Sequence, residues 1–292
     1  WAGTLEDIFP TRTEESVIKP QSLYTSRNTA RPAASVASPR VVIPVFPGTN
    51  CEYDSARAFA RAGAKARIVI IRNLTPPDIE ESIRALAEAI DQAQILMIPG
   101  GFSGGDEPDG SGKFIATMLK NPRIRDALMR LLGERDGLAL GICNGFQALI
   151  KVGLVPYGDI RDMRPDSPTL TFNTIGRHMS RLVDIRVTST LSPWFANVQA
   201  GEVFTEAVSH GEGRFVASEA EIEDLFKNGQ VAAQYVDASG LPSMDTAHNP
   251  NGSMCAIEAI TSPDGRVLGK MGHSERYRPG LYLNVPGNKD RE

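Results

Sequence analysis

Between residues 41 and 142, short apolar runs alternate with longer stretches whose apolar positions recur at helical spacing. Val41-Val42-Ile43-Pro44-Val45-Phe46 is continuously apolar, as a strand buried on both faces must be. A Pro47-Gly48-Thr49-Asn50 turn separates it from a predicted helix over Tyr53 to Ala62, and Ala66 to Ile71 is a second buried strand. Thr75-Pro76-Pro77-Asp78 opens a helix toward Ala93, with a capping threonine, proline in the first turn and an early acid. Ile95 to Ile98 is the third strand, Phe114 to Leu132 is mostly helical, and Leu138 to Ile142 is the fourth strand.

This β-α-β-α order predicts an α/β fold, a doubly wound and mostly parallel sheet with helices on both faces. Ligands of such sheets sit beyond the carboxyl ends of the strands. Three turns collect there: Phe46 to Cys51, Pro99 to Gly112, and Ile142 to Gly145. After Gly153 the pattern changes. Arg181 to Val187 alternates apolar and polar positions, and Glu202 to Val208, Gln230 to Val236 and Met254 to Ile260 are further strands. Apart from one helix around Glu219 to Lys227 nothing helical separates them, which predicts an antiparallel extension of the sheet. Arg266 to Met271 is the last strand, and it delivers Gly272-His273-Ser274-Glu275-Arg276.

Residues 1–39 lack this periodicity and carry Pro10, Pro20, Pro32 and Pro39 among Ser, Thr, Arg and Ala. They read as an extended arm or linker, with the organised domain spanning residues 40–292. The chain begins at Trp1, so it is expected to be a piece of a longer polypeptide, against whose remainder the arm would pack.

Composition narrows the class. With 41% hydrophobic and 23% charged residues the chain is an ordinary globular one. A net charge of −4 gives no basic footprint for nucleic acid. No apolar run is long enough for a bilayer and no signal-peptide pattern is present. Three widely spaced cysteines suit a reducing cytoplasm.

The richest stretch is Gly141-Ile142-Cys143-Asn144-Gly145, a G-x-C-x-G turn between a strand and the apolar helix that starts near Phe146. A nucleophile elbow has this form, here with cysteine. The flanking glycines permit the sharp turn. The N–H groups and dipole of the following helix favour negative charge on the sulfur and can hold an oxyanion. A cysteine nucleophile needs a base, and the base needs an orienting partner. His273 follows a strand, as Cys143 does, so both reach one sheet edge. Glu275 lies two residues on, the spacing at which extended backbone presents side chains to one side. It can therefore orient the imidazole.

Taken singly, each feature has a plainer explanation: an inert core cysteine, a surface histidine, a flexible glycine loop. Their convergence on one sheet edge favours catalysis. Cys51 also stands between a strand and a helix, but lacks paired glycines and is assigned to the lining of the same crevice. Cys255 alternates with apolar neighbours and is assigned to the core. Pro99-Gly100-Gly101-Phe102-Ser103-Gly104-Gly105 allows close backbone approach to a ligand. Gly110-Ser111-Gly112-Lys113-Phe114 fails as a phosphate loop, because Glu107 and Phe114 stand where glycine and Ser or Thr are required. His210-Gly211-Glu212-Gly213-Arg214 alone would be a hairpin turn. The scattered histidines predict no metal site.

In order, a Pro-Gly-Gly loop, G-x-C-x-G and a late H-x-E resemble a class I (triad) glutamine amidotransferase domain. FPGTNCEYD at 46–54, PGGFSGGDE at 99–107, GICNGFQ at 141–147, HGEGRF at 210–215 and GHSER at 272–276 narrow it. These strings resemble the glutaminase domain of the phosphoribosylformylglycinamidine synthase family, over residues 40 to 290.

The resemblance implies a flavodoxin-like fold and the long-chain form, in which the glutaminase is C-terminal and an extended segment ties it to the synthetase body. It assigns Cys143 as nucleophile, His273 as general acid/base and Glu275 as the orienting acid. The backbone N–H groups of Gly101 and Asn144 become the oxyanion hole, Gln147 touches the bound glutamine, and His210 lines the pocket. Glutamine is the implied substrate and the synthetase of the same polypeptide the implied partner. This domain needs no cofactor, while ATP and Mg belong to the absent synthetase region. Two other readings stay open: a cysteine-elbow hydrolase of the same fold, and a docking domain without activity.

Overall fold

The computed structural model describes residues 22–30, 36–105, 111–283 and 285. Residues 1–21 and 31–35 of the arm, the 106–110 end of the glycine loop, 284 and 286–292 lie outside the described residues.

Apolar runs become strands where expected. β1 (Arg40–Val45) is followed by α1 (Glu52–Arg61), β2 (Lys65–Ile70), α2 (Pro76–Gln92) and β3 (Ile95–Ile98). Thr75 caps α2 by accepting the Asp78 N–H at 3.3 Å, a contact that satisfies one orphan donor of the first turn. The single helix predicted over Phe114 to Leu132 is two, α3 (Lys113–Leu119) and α4 (Pro122–Gly133). Pro122 has no N–H to continue the first helix, and Asn121 caps the second by accepting the Arg123 N–H at 3.1 Å. β4 (Leu138–Ile142) then leads through Cys143 into α5 (Asn144–Lys151).

The second half adds a short helical turn α6 (Leu154–Tyr157), β5 (Thr169–Thr171), β6 (Met179–Val187), β7 (Val203–His210) and β8 (Arg214–Val216). It closes with α7 (Glu219–Lys227), β9 (Val231–Val236), β10 (Ile257–Thr261) and β11 (Val267–Lys270). The strand predicted from Met254 begins only at Ile257, because 254–256 form a 3₁₀ turn with Cys255 at φ +50°. Cys255 is accordingly half-buried against the core rather than inside a strand.

Nine strands make one sheet in the order β2-β1-β3-β4-β11-β10-β9-β6-β7. The first five are parallel and the rest antiparallel. β5 and β8 pair separately, so the turn after His210 is no hairpin. The main core packs Leu86, Ile90, Ile115 and Leu128 of the helices against Ile43, Leu96 and Ile98 of the strands. Each such side chain contributes about 1.5–3 kcal/mol on burial.

Register positions the site. Gly269 pairs with Gly141 and Lys270 with Ile142, so the chain leaves β11 beside the elbow that follows β4. The antiparallel half also bends back over this edge, since Ala207 of β7 accepts the N–H of His273 at 2.8 Å. The described part of the arm packs on this domain instead of projecting away. Tyr24 exchanges main-chain hydrogen bonds of 3.0 Å with Thr188 and Thr190, and Arg27 Nη1 donates to Phe195 O at 2.7 Å. Among the described residues no helix is long and apolar enough to cross a membrane.

Candidate active site

Cys143 carries the turn's strain itself, with φ +53° and ψ −106°. The neighbouring glycines act through space rather than through unusual torsions. A Cβ on Gly145 would lie 2.0 Å from Ile98 O, and one on Gly141 would lie 2.6 Å from Leu149 Cδ1. The elbow therefore needs glycine at both positions so that α5 can press onto the strands. Cys143 N–H donates to Lys270 O at 2.8 Å, and its thiol faces Ser209 O at 3.8 Å.

His273 is buried, with Nδ1 2.7 Å from Glu275 Oε1. An ionised carboxylate only accepts, so Nδ1 carries the proton. Nε2 is buried without a hydrogen-bond partner among the described residues. Gly100 shows where the ring and Cys143 meet. A Cβ there would lie 2.7 Å from His273 Cε1 and 3.4 Å from Cys143 Cβ. Burial alone pulls the His273 pKa down. Contacts with the Cys143 and Cys51 thiols and with the Glu275 carboxylate outweigh that, and hold it well above the usual 6.5.

Cys51 does not line the pocket. Its sulfur lies 3.9 Å from His273 Nδ1, on the Glu275 side, and receives a hydrogen bond of 3.1 Å from Arg276 Nη2. Cys51, His273 and Glu275 are close enough together to hold a metal ion. Two of them, His273 and Glu275, are already paired with one another at 2.7 Å.

In front of Cys143 opens a cavity of about 160 Å³, lined among others by Gly101, Ser111, Gln147, His210, Gly211 and Glu212. Gly101 has φ +148°, and a side chain there would strike Gly48 O at 2.6 Å. Gln147 is fixed by donating to Glu212 O at 2.5 Å and accepting from Asn144 Nδ2 at 2.9 Å. His210 is fully buried, and among the described residues both ring nitrogens lack partners. Burial, then the neighbouring His273 and His178, pull its pKa down to about 3. A neutral imidazole offers a ligand one donor and one acceptor.

The structure thus brings Cys143, His273, Glu275, Gly101, Asn144, Gln147 and His210 to one sheet edge. Sequence reading placed His210 at the pocket but missed the rest of what β7 contributes. Glu206, Val208 and His210 share its buried face, and the carbonyls of Ala207 and Ser209 reach His273 and Cys143. Two ionisable residues two positions either side of a core valine were the available signal. The aromatic mouth was also missed: Phe102 and Phe172 are exposed there, and the Phe102 ring lies 6.2 Å from that of His178.

Comparison with known proteins adds an independent line. The family model for the CobB/CobQ-like glutamine amidotransferase domain matches residues 38–292. The chain belongs to this amidotransferase family. The amidotransferase domain is 34% identical over 239 residues to the phosphoribosylformylglycinamidine synthase subunit PurQ of Methanococcus maripaludis, covering 82% of each chain. The PurQ subunit of Rhodospirillum rubrum is 36% identical over 231 residues, covering 79% of this chain and 87% of its own. Among solved structures, PurLQS from Thermotoga maritima matches with a TM-score of 0.59 and 26% identity, over 82% of this chain and 89% of that one. These likenesses agree with the class I amidotransferase fold expected from the motifs.

Proposed function

We propose that this chain is the glutaminase part of a phosphoribosylformylglycinamidine synthase, hydrolysing glutamine to glutamate and ammonia for purine biosynthesis. One observation carries the reading: Cys143, on a positive-φ elbow, meets a buried imidazole held 2.7 Å from Glu275. The similarity to PurQ subunits supports the substrate.

The chemistry follows from the geometry. The Cys143 sulfur attacks the side-chain amide carbon of glutamine, and the backbone N–H groups of Asn144 and Gly101 hold the developing oxyanion. His273, kept protonated by Glu275, donates its Nε2 proton to the departing ammonia, leaving a γ-glutamyl thioester. The same Nε2 then takes a proton from water, whose attack releases glutamate and the free thiol. Gln147 and neutral His210 position the substrate without adding charge to the pocket.

Ammonia is consumed on a synthetase partner, where ATP and Mg act. The covalent link to that partner, the long-chain form, rests on the sequence resemblance, whereas the relatives named above are separate subunits. The size of the native protein carrying this sequence tests the link.

The function is tested by intact-mass labelling with a glutamine-mimicking diazoketone, in the presence of the synthetase partner. A single adduct on Cys143, blocked by glutamine and absent from Cys143→Ala, is expected. An adduct that glutamine does not block favours the cysteine-elbow hydrolase, and no adduct favours the docking domain.

A further inference from the structure

Glu206 on β7, Glu258 on β10 and Lys270 on β11 lie buried together just beneath the segment that carries His273. Lys270 Nζ donates to Glu206 Oε1 and Oε2 at 2.5 and 2.6 Å. Glu258 Oε1 accepts two backbone donors, Met271 N at 2.9 Å and Gly272 N at 2.6 Å. These are the N–H groups of the two residues immediately before His273. Gly272 is walled in by the same carboxylates, since a Cβ there would lie 2.0 Å from Glu206 Oε2 and 3.2 Å from Glu258 Oε1.

Such a cluster is a poor stability device. Two carboxylates and one ammonium lose their hydration for a single ion pair, and apolar residues of similar size would cost less. What the cluster does supply is geometry. Charge-assisted acceptance of two successive N–H groups fixes the peptide planes that set where the next side chain points. The Lys270 carbonyl meanwhile holds the Cys143 N–H at 2.8 Å, so one residue is tied to both sides of the reacting pair.

We propose that Glu258, with the Lys270–Glu206 pair, is a positioning device that aims His273 at Cys143. The inference rests on the glutaminase reading for its kinetic test alone. Glu258 holds the backbone, and Lys270 lets a second buried carboxylate stand beside it. Burial and the Glu206 charge, opposed by Lys270, push the Glu258 pKa to about 7. An amide at this position is therefore a close mimic of a group already half neutral near pH 7.

The test compares Glu258→Gln and Glu258→Leu in the full chain with its synthetase partner. Two things are read: glutamine turnover, and the far-downfield proton resonance of His273 Nδ1–H bonded to Glu275. Glu258→Gln keeps both N–H acceptances, so it retains the resonance and a kcat within about threefold of wild type. Glu258→Leu keeps KM within about threefold but loses the resonance and about a hundredfold in kcat, the scale of a misplaced catalytic group. Where the leucine variant does not fold, Glu258→Asp replaces it, because one fewer methylene leaves the carboxylate short of both N–H groups. Retention of the resonance in the leucine or aspartate variant overturns the proposal, whatever the rate. The resonance needs no turnover, so it decides the matter even if wild type proves inactive on glutamine. That second outcome would sink the glutaminase reading alone.

Discussion

The N–H of Cys143 is held 2.8 Å from the carbonyl of Lys270, the last residue of the strand that leads to His273. Cys143 and His273 are thus brought side by side by the register of two adjacent parallel strands. Parallel pairing of β4 with β11 is closed by the chain only after the 124 residues that lie between Ile142 and Val267. The site therefore exists only in the complete fold.

The elbow's strain makes a first prediction. Cys143 occupies φ +53°, a region costly for any residue with a Cβ. Cys143→Gly is expected to be about 1 kcal/mol more stable than Cys143→Ala, reversing the usual penalty for glycine beside a helix. Both are inactive. Urea unfolding of the two variants decides it, and equal midpoints would mean that the turn is unstrained.

Glu275 gives a second. It helps hold the His273 pKa above 6.5, so the proton-donating imidazolium persists to higher pH than a free imidazole allows. Glu275→Gln weakens that hold. The alkaline limb of thioester formation moves to lower pH, and kcat falls about 10²–10⁴-fold, as for other orienting acids. A pH–rate profile of diazoketone labelling reads the limb directly. An unshifted limb would assign the raised pKa to the cysteines instead.

Two glycines separate folding from catalysis. Gly145→Ala forces a Cβ to 2.0 Å from the backbone oxygen of Ile98, which side-chain motion cannot relieve. A loss of about 3 kcal/mol or more is expected. The atoms nearest a Cβ at Gly100 are all in side chains, the His273 ring at 2.7 Å and two cysteines at 3.3 and 3.4 Å. Gly100→Ala should shift the ring and cost about tenfold or more in kcat while leaving the melting temperature within a few degrees. Thermal melts and turnover measured side by side would expose an error in either assignment.

Much of this was legible in the sequence because it depends on local pattern. Continuous apolar runs name the parallel strands, and the order of motifs names the elbow and the His-x-Glu pair. Long-range closure was not legible. Nothing in Thr205-Glu206-Ala207-Val208 says that this edge strand bends back to bond His273, since the return depends on sheet twist accumulated over several strands. Cys51 was misplaced for a similar reason. Its position between strand and helix suggested the crevice, but the Arg276 guanidinium anchors it on the far side of the imidazole.

His210 supplies the last prediction. Buried without partners among the described residues, it stays neutral down to about pH 3, whereas in the unfolded chain it takes a proton below about 6.5. The unfolded state therefore binds more protons between these values. The contribution of His210 to stability is full above pH 6.5 and is lost progressively as pH falls toward 3. Between about pH 6.5 and 5 the loss amounts to about 1.5 kcal/mol. Glu258 and His273 also titrate differently in the two states, but they are common to wild type and to His210→Gln, so comparing the two proteins isolates His210. Wild type should lose about 1.5 kcal/mol more than the variant over that interval in urea unfolding. Parallel curves would show that His210 has a polar partner when folded, and would remove it as the neutral donor and acceptor assigned to the glutamine pocket.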